Sequence, residues 1–221
     1  MEKCGTTDLY QRISIHPHIV LSPAKELQWW TRRRFFYQQD GAFPGKQQSD
    51  EYKLRHKGSL VNVPLKHYYA FFDKAAEAIG TSVSDANSST PYHHMITGDG
   101  SPNVIYWNDF AEIFSAVDRN GPKELVAHQL ASLLPESKFI CILREPTDRL
   151  YSSYLFFNRG VTRQSFHNAV TKGIELFNDC VHKYSLRYCT YSWELKERVG
   201  STVNLMQGIY SVMVRDWLQV R

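Results

Sequence analysis

Apolar positions recur at helical spacing through much of the chain, and only short runs read as strands. After Pro64, the residues Leu65, Tyr68, Tyr69, Phe72, Ala75, Ala76 and Ile79 fall on one face of a helix. Pro64 suits its first turn and Gly80 its C-cap. Residues 122–134 predict a second amphipathic helix, striped by Leu125, Val126, Leu130, Leu133 and Leu134. Residues 164–178 and 203–220 predict two more, and residues 6–15 a short one, led by threonines and followed by Pro17. The run Phe139-Ile140-Cys141-Ile142-Leu143 is continuously apolar, as a strand covered on both faces would be. Pro146 then opens a helix that Leu150, Tyr154 and Phe157 continue. Residues 94–97 predict another buried strand, leading into the turn Gly98-Asp99-Gly100-Ser101-Pro102. Residues 38–62 and 81–91 read as loops, and there is no internal repeat. This alternation of helix and strand predicts an α/β fold with a central parallel sheet flanked by helices. The 221 residues suit a single domain.

Composition narrows the classes. With 26 Lys and Arg against 22 Asp and Glu, the net charge is only +4 and is spread along the chain. That argues against a nucleic-acid arm and is compatible with a site for an anionic ligand. No apolar run approaches the roughly 18 residues of a membrane span. The opening Met1-Glu2-Lys3-Cys4-Gly5 has no apolar segment behind a basic start, so no signal peptide is expected. Four cysteines, Cys4, Cys141, Cys180 and Cys189, form no C-x-x-C pair, and no metal site is expected. Cys180 and Cys189 are close enough in sequence either to bridge, which would imply an oxidising compartment, or to stand as two thiols. Asn87-Ser88-Ser89 is an N-glycosylation acceptor pattern that matters only in a secretory protein.

Two segments share one design. Lys3-Cys4-Gly5-Thr6-Thr7 lies at the mouth of a helix. Gly5 permits a tight turn, the free N–H groups that follow face an anion, and Lys3 adds a full charge. The loop lacks the G-x-x-x-x-G-K-[ST] pattern of a nucleotide kinase. A simple helix cap would look the same. The second segment is residues 138–154. Arg144 stands at the carboxyl end of the predicted strand, where α/β proteins bind ligands, and Ser152 lies in the second turn of the following helix. Together they could hold a phosphate. The plain alternative pairs Arg144 with Glu145 or Asp148 and leaves Ser152 a routine helix residue. One cradle for a 5′ anion and another for a 3′ phosphate is what 3′-phosphoadenosine 5′-phosphosulfate (PAPS) requires.

Here the residues resemble a known family. K-C-G-T-T-D-L is similar to the 5′-phosphosulfate loop of Golgi carbohydrate sulfotransferases, and F-I-C-I-L-R-E-P-T-D-R-L-Y-S-S-Y to their 3′-phosphate segment. Lys25-Glu26-Leu27-Gln28-Trp29-Trp30, Gly98-Asp99-Gly100-Ser101-Pro102 and Cys180 through Cys189 resemble further family stretches, in the family's order. The resemblance implies a P-loop-like sulfotransferase fold with PAPS as co-substrate and no metal. It implies that Lys3, Cys4, Gly5, Thr6 and Thr7 hold the phosphosulfate, and that Arg144 and Ser152 hold the 3′ phosphate. Glu26 would be the general base on the acceptor hydroxyl and Lys3 would stabilise the leaving group. The implied acceptor is a glycosaminoglycan, with N-acetylgalactosamine 4-sulfate of chondroitin or dermatan sulfate as the sugar, and the implied compartment is the Golgi lumen. Relatives carry a membrane anchor, a strand before the 5′ loop and a basic loop after the last helix. None of these has a counterpart in residues 1–221, which would make the chain a partial sulfotransferase domain. The other readings are a truncated relative that binds glycosaminoglycan without catalysis and a nucleotide kinase-like P-loop protein. Trp29 and Trp30 beside Arg32, Arg33 and Arg34 would either line an acceptor groove or be core tryptophans next to a solvated basic turn. Where some heparan sulfotransferases carry a lysine before the Ser/Thr-Pro turn, this chain has Gly100. His93 and His94 are expected to be structural.

Overall fold

A computed structural model describes residues 1–31, 64–82, 92–108, 117–157 and 162–220. The chain divides into two units, one formed by Thr6–Pro102 and one joining Met1–Gly5 to Asn103–Arg221.

In the unit of residues 6–102, helix α1 (Thr6–Ser14) forms where the threonines lead it. The Arg12 Nε donates to Asp8 Oδ2 at 2.8 Å one turn earlier. The helical stretch after Pro64 is real but not uniform. It runs as α2 (Leu65–Tyr69), a 3₁₀ turn (Ala70–Phe72) and α3 (Asp73–Thr81), so Gly80 lies inside the last turn and not beyond it. The strand expected at residues 94–97 contracts to one parallel bridge, Ile19 with Ile96. Leu27, Trp29, Trp30, Tyr68 and Ala75 are buried in this unit. The Trp29 and Trp30 rings meet edge to face at 4.9 Å, and Tyr68 packs 5.5 Å from each. These indoles are therefore core, and the acceptor-groove reading of them is corrected. Arg32, Arg33, Arg34 and the loop at 38–62 lie outside the described residues.

In the second unit, β1 (Val117–Asp118) and β2 (Gly121–Pro122) form a short antiparallel pair. Among the described residues six helices follow: α4 (Val126–Leu133), α5 (Pro146–Phe156), α6 (Arg163–Val181), α7 (Leu186–Tyr191), α8 (Trp193–Gly200) and α9 (Tyr210–Gln219). A 3₁₀ turn, Met206–Gly208, precedes α9. The sequence pattern missed α7 and α8, although each has a visible N-cap. Ser185 Oγ accepts from the Tyr188 N–H at 3.0 Å and Ser192 Oγ from the Leu195 N–H at 3.3 Å. One core cluster gathers Met1, Cys4, Tyr106, Leu125, Ala127, Tyr191, Val212 and Met213. A second gathers Phe177, Cys189, Leu195, Val199 and Met206, and here Cys180 and Cys189 are joined as a disulfide. Arg187 Nε donates to the buried Asp216 at 2.8 Å, tying α7 to α9.

The expected parallel sheet is not seen among the described residues. Apart from the Ile19–Ile96 bridge, the described pairing is the antiparallel pair β1–β2. Residues 139–143 run without a ladder partner, and Phe139, Ile140 and Leu143 are exposed. An apolar run becomes a buried strand only where neighbouring strands take its N–H and C=O groups and a layer covers each face. No described segment supplies the neighbouring strands, and the cover is partial: Ile142 packs against the core cluster and Phe139 meets the Trp217 ring at 5.1 Å.

Candidate active site

The second unit brings the chain's opening turn against residues 142–156. Lys3 and Gly5 both adopt left-handed backbone, at φ 61° and 87°, so the turn folds sharply just ahead of α1. A Cβ on Gly5 would lie 3.8 Å from Ile142, so space is not the constraint there; φ is. The Lys3 ammonium sits 3.8 Å from the centre of the Phe156 ring. Phe156 is one helical turn beyond Ser152, on the same face of α5. The lysine of the first segment therefore reaches the serine-bearing face of the second.

Tyr210, at the start of α9, joins the same two segments. Its hydroxyl lies 3.8 Å from Cys4 Sγ and accepts from the Arg144 backbone N–H. Burial and the Cys4 thiol push its pKa up to about 12, so it is a neutral hydroxyl under ordinary conditions. Cys4 is buried, which leaves its backbone, not its side chain, to meet a ligand. Helix α5 starts with Glu145 capping the Asp148 N–H at 2.7 Å and with Pro146 in the first turn. That cap fixes the helix directly after Arg144. The Arg144 side chain is partly exposed and stands 3.9 Å from Asp148, a loose pair that leaves most of its donors to solvent or ligand. Ser152 is half-buried. Thr6 and Thr7 open α1, which belongs to the other unit.

Helix α5 also carries Arg149, fully buried. Its Nη2 donates to the Asn204 carbonyl at 2.7 Å and its Nη1 to Gln207 Oε1 at 3.2 Å. Asn204 also donates to Ser153 Oγ at 3.0 Å. The sequence pattern did not single out Arg149, Asn204, Gln207 or Tyr210. A charged residue at an apolar-face position of α5 was the available signal for the first of them.

In the unit of residues 6–102, Glu26 sits on an irregular turn. The Lys25 ammonium pairs with its Oε1, and the Gln28 amide donates to its Oε2 at 3.1 Å. Gln28 is buried with φ 53°, and its N–H donates to Ser101 Oγ at 2.8 Å. The Ser101 N–H and hydroxyl both donate to Asp99 Oδ1, at 2.9 and 2.6 Å. Burial raises the Asp99 pKa and the two Ser101 bonds pull it back. The Gly98–Pro102 turn thus supports the Glu26 turn through Ser101. Gly100 is required by close approach: a Cβ there would come within 2.7 Å of the Lys25 carbonyl and 2.5 Å of the Tyr10 ring. A lysine at this position would meet the same obstruction. His93 and His94 are exposed, and His94 packs at 5.1 Å from Tyr92.

Among the described residues no cluster of His, Cys, Asp and Glu is arranged to hold a metal ion. No described helix is long and apolar enough to cross a membrane.

Residues 1–217 match the model of the sulfotransferase family. The chain belongs to the sulfotransferase family. That membership supports the sulfotransferase fold, although the parallel sheet is not formed by the described residues. This sulfotransferase-family chain is 34% identical over 222 residues to carbohydrate sulfotransferase 15 of Rattus norvegicus. It is 35% identical to carbohydrate sulfotransferase 15 of Mus musculus and 34% to that of Homo sapiens. Each match covers 99% of this chain and 36% of the relative, so the chain spans about a third of the length of those relatives. No solved structure matches it significantly.

Proposed function

We propose that this chain moves a sulfuryl group from PAPS to a hydroxyl of a glycosaminoglycan, with N-acetylgalactosamine 4-sulfate of chondroitin or dermatan sulfate as the acceptor sugar. The observation that carries the reading is the meeting of the Lys3–Gly5 turn with the Ser152–Phe156 face of α5. Family membership and the likeness to carbohydrate sulfotransferases support the same reaction class.

In this reading the backbone of Lys3, Cys4 and Gly5, with Thr6 and Thr7, receives the 5′-phosphosulfate. Arg144 and Ser152 hold the 3′ phosphate, the first by a charge-assisted fork and the second by its hydroxyl. Glu26 takes the proton of the acceptor hydroxyl as its oxygen bonds to sulfur. The bond from sulfur to the 5′-phosphate oxygen breaks in line, and Lys3 meets the charge left on that oxygen. The Lys25 and Gln28 donors keep Glu26 from swinging freely. The disulfide suits an oxidising compartment and hence the Golgi lumen. A non-catalytic glycosaminoglycan binder built on Trp29 and Trp30 is not favoured, since both rings are buried.

The test is a titration of the purified chain with 3′-phosphoadenosine 5′-phosphate, followed by sulfate incorporation from labelled PAPS into chondroitin 4-sulfate. Saturable binding that Arg144→Ala weakens, and label in the sugar, are expected. Absence of binding, or binding indifferent to Arg144→Ala, overturns the reading.

A further inference from the structure

Arg149 is fully buried, yet among the described residues no carboxylate forms an ion pair with it. Its hydrogen-bond partners are neutral: the Asn204 carbonyl and the Gln207 amide oxygen. Its Nε, also buried, has no hydrogen-bond partner among the described residues. Neutral acceptors lessen the cost of desolvating a guanidinium but leave its charge uncancelled, and a buried uncancelled charge is an expensive thing to keep. Burial accordingly lowers its pKa, while Tyr210, Cys4, Tyr106 and Glu2 act in the opposite direction. Two of these, Cys4 and Tyr210, belong to the contact between the opening turn and residue 144. The buried charge thus lies within electrostatic reach of the place where the two proposed anion-binding segments converge.

We propose that Arg149 is a positioning residue for donor binding, a buried positive charge whose counter-charge is the anionic group of a nucleotide held by the Lys3–Gly5 turn and Arg144. The inference deepens the donor-site reading above and rests on it. Arg149 touches no ligand. It raises the positive potential of the site from below, where water cannot screen it, and it fixes residues 204–207 against α5. Gln207 is the complementary element. A glutamate there would put a carboxylate beside the guanidinium and cancel the field, with almost no change of shape.

Gln207→Glu therefore separates the electrostatic role from a structural one. The full chain is titrated with 3′-phosphoadenosine 5′-phosphate and, separately, with inorganic sulfate, and its thermal midpoint is measured without ligand. The expected result is an equal or higher midpoint, because a buried charge has gained a partner, together with nucleotide binding at least tenfold weaker. Arg149→Lys keeps the charge and is expected to bind within about threefold of the natural chain. A merely structural role would move stability and affinity together. Folded Gln207→Glu that binds the nucleotide as tightly as the natural chain overturns the proposal. So does an Arg149→Met variant that folds and binds normally. Failure of the donor-site reading looks different: the unmodified chain then shows no binding, or binding insensitive to Arg144→Ala.

Discussion

The two units hold their charged side chains by opposite means. In the unit of residues 1–5 and 103–221, Arg149 is fully buried on a regular, capped helix and faces neutral acceptors. In the unit of residues 6–102, Glu26 is half-buried on an irregular turn, with a donor on each carboxylate oxygen. One arrangement keeps a charge unspent and available to a ligand's field. The other restrains a charge near solvent. In the proposed reading the donor side depends on electrostatics built into the core and the base on local hydrogen bonding, so the two sides respond to different substitutions.

The sharpest break between them is Glu26→Gln. It removes the proton acceptor but keeps the shape, so kcat falls by about 10²–10⁴ while affinity for 3′-phosphoadenosine 5′-phosphate is unchanged. Arg144→Ala gives the reverse pattern, with nucleotide affinity lost first. Calorimetric titration beside initial-rate measurement reads both. Nucleotide affinity that falls with Glu26→Gln would merge the two sides and end the comparison.

Next in size is Ser101→Ala, which strands the buried Gln28 N–H and frees the Glu26 turn. The expected loss in kcat is about tenfold per nucleotide-binding molecule, corresponding to the roughly 1–3 kcal/mol of an unsatisfied buried donor. Ser101→Thr, which keeps the hydroxyl, restores the rate. An unchanged rate in Ser101→Ala would show that the turn holds itself. The disulfide acts on the other unit. Replacing Cys180 and Cys189 by serine removes a cross-link across a short loop in a packed core and costs about 2–3 kcal/mol in urea unfolding. No comparable change in Trp29 and Trp30 emission at low urea is expected.

How far the molecule was legible in advance follows the same division. Helices with a continuous apolar stripe, such as α4 and α6, were visible because burial along one face leaves a period in the sequence. Helix α5 announced itself through Pro146 at its start and the apolar Leu150, Tyr154 and Phe157, whereas the Glu145 cap emerges only from the structure. The run at 139–143 misled, because apolar composition reports what wants covering and not whether a neighbouring strand exists to cover it. In the candidate site, Lys3, Gly5, Arg144 and Ser152 could be named from local motifs, and Glu26 from the family resemblance. Tyr210 and Gln207 could not, since they reach those segments by contacts across 206 and 58 residues of chain. Arg149 lies inside the second segment, but the partners that mark it out are 55 and 58 residues away. Ser101 and Gln28 were in stretches already noticed, yet their link spans 73 residues and leaves no local pattern.

The smallest expected effect sets one carboxylate of each unit against the other. Glu145 accepts from the Asp148 and Thr147 backbone, which lowers its pKa in the folded chain. A lowered carboxylate contributes stability above its unfolded pKa, near 4.3, and that contribution is lost as pH falls through the folded value. Asp99 is shifted upward by burial, so its sign is reversed. Its ionisation costs stability as pH rises from the unfolded pKa, near 3.9, through the folded one. Thermal midpoints of Glu145→Gln and Asp99→Asn, followed from pH 3 to pH 7 against the natural chain, should therefore diverge. Relative to the natural chain, Glu145→Gln loses ground as pH rises through 4, and Asp99→Asn gains it. Parallel curves would mean that the cap and the buried turn treat charge alike, and the contrast between the two units would then be one of geometry alone.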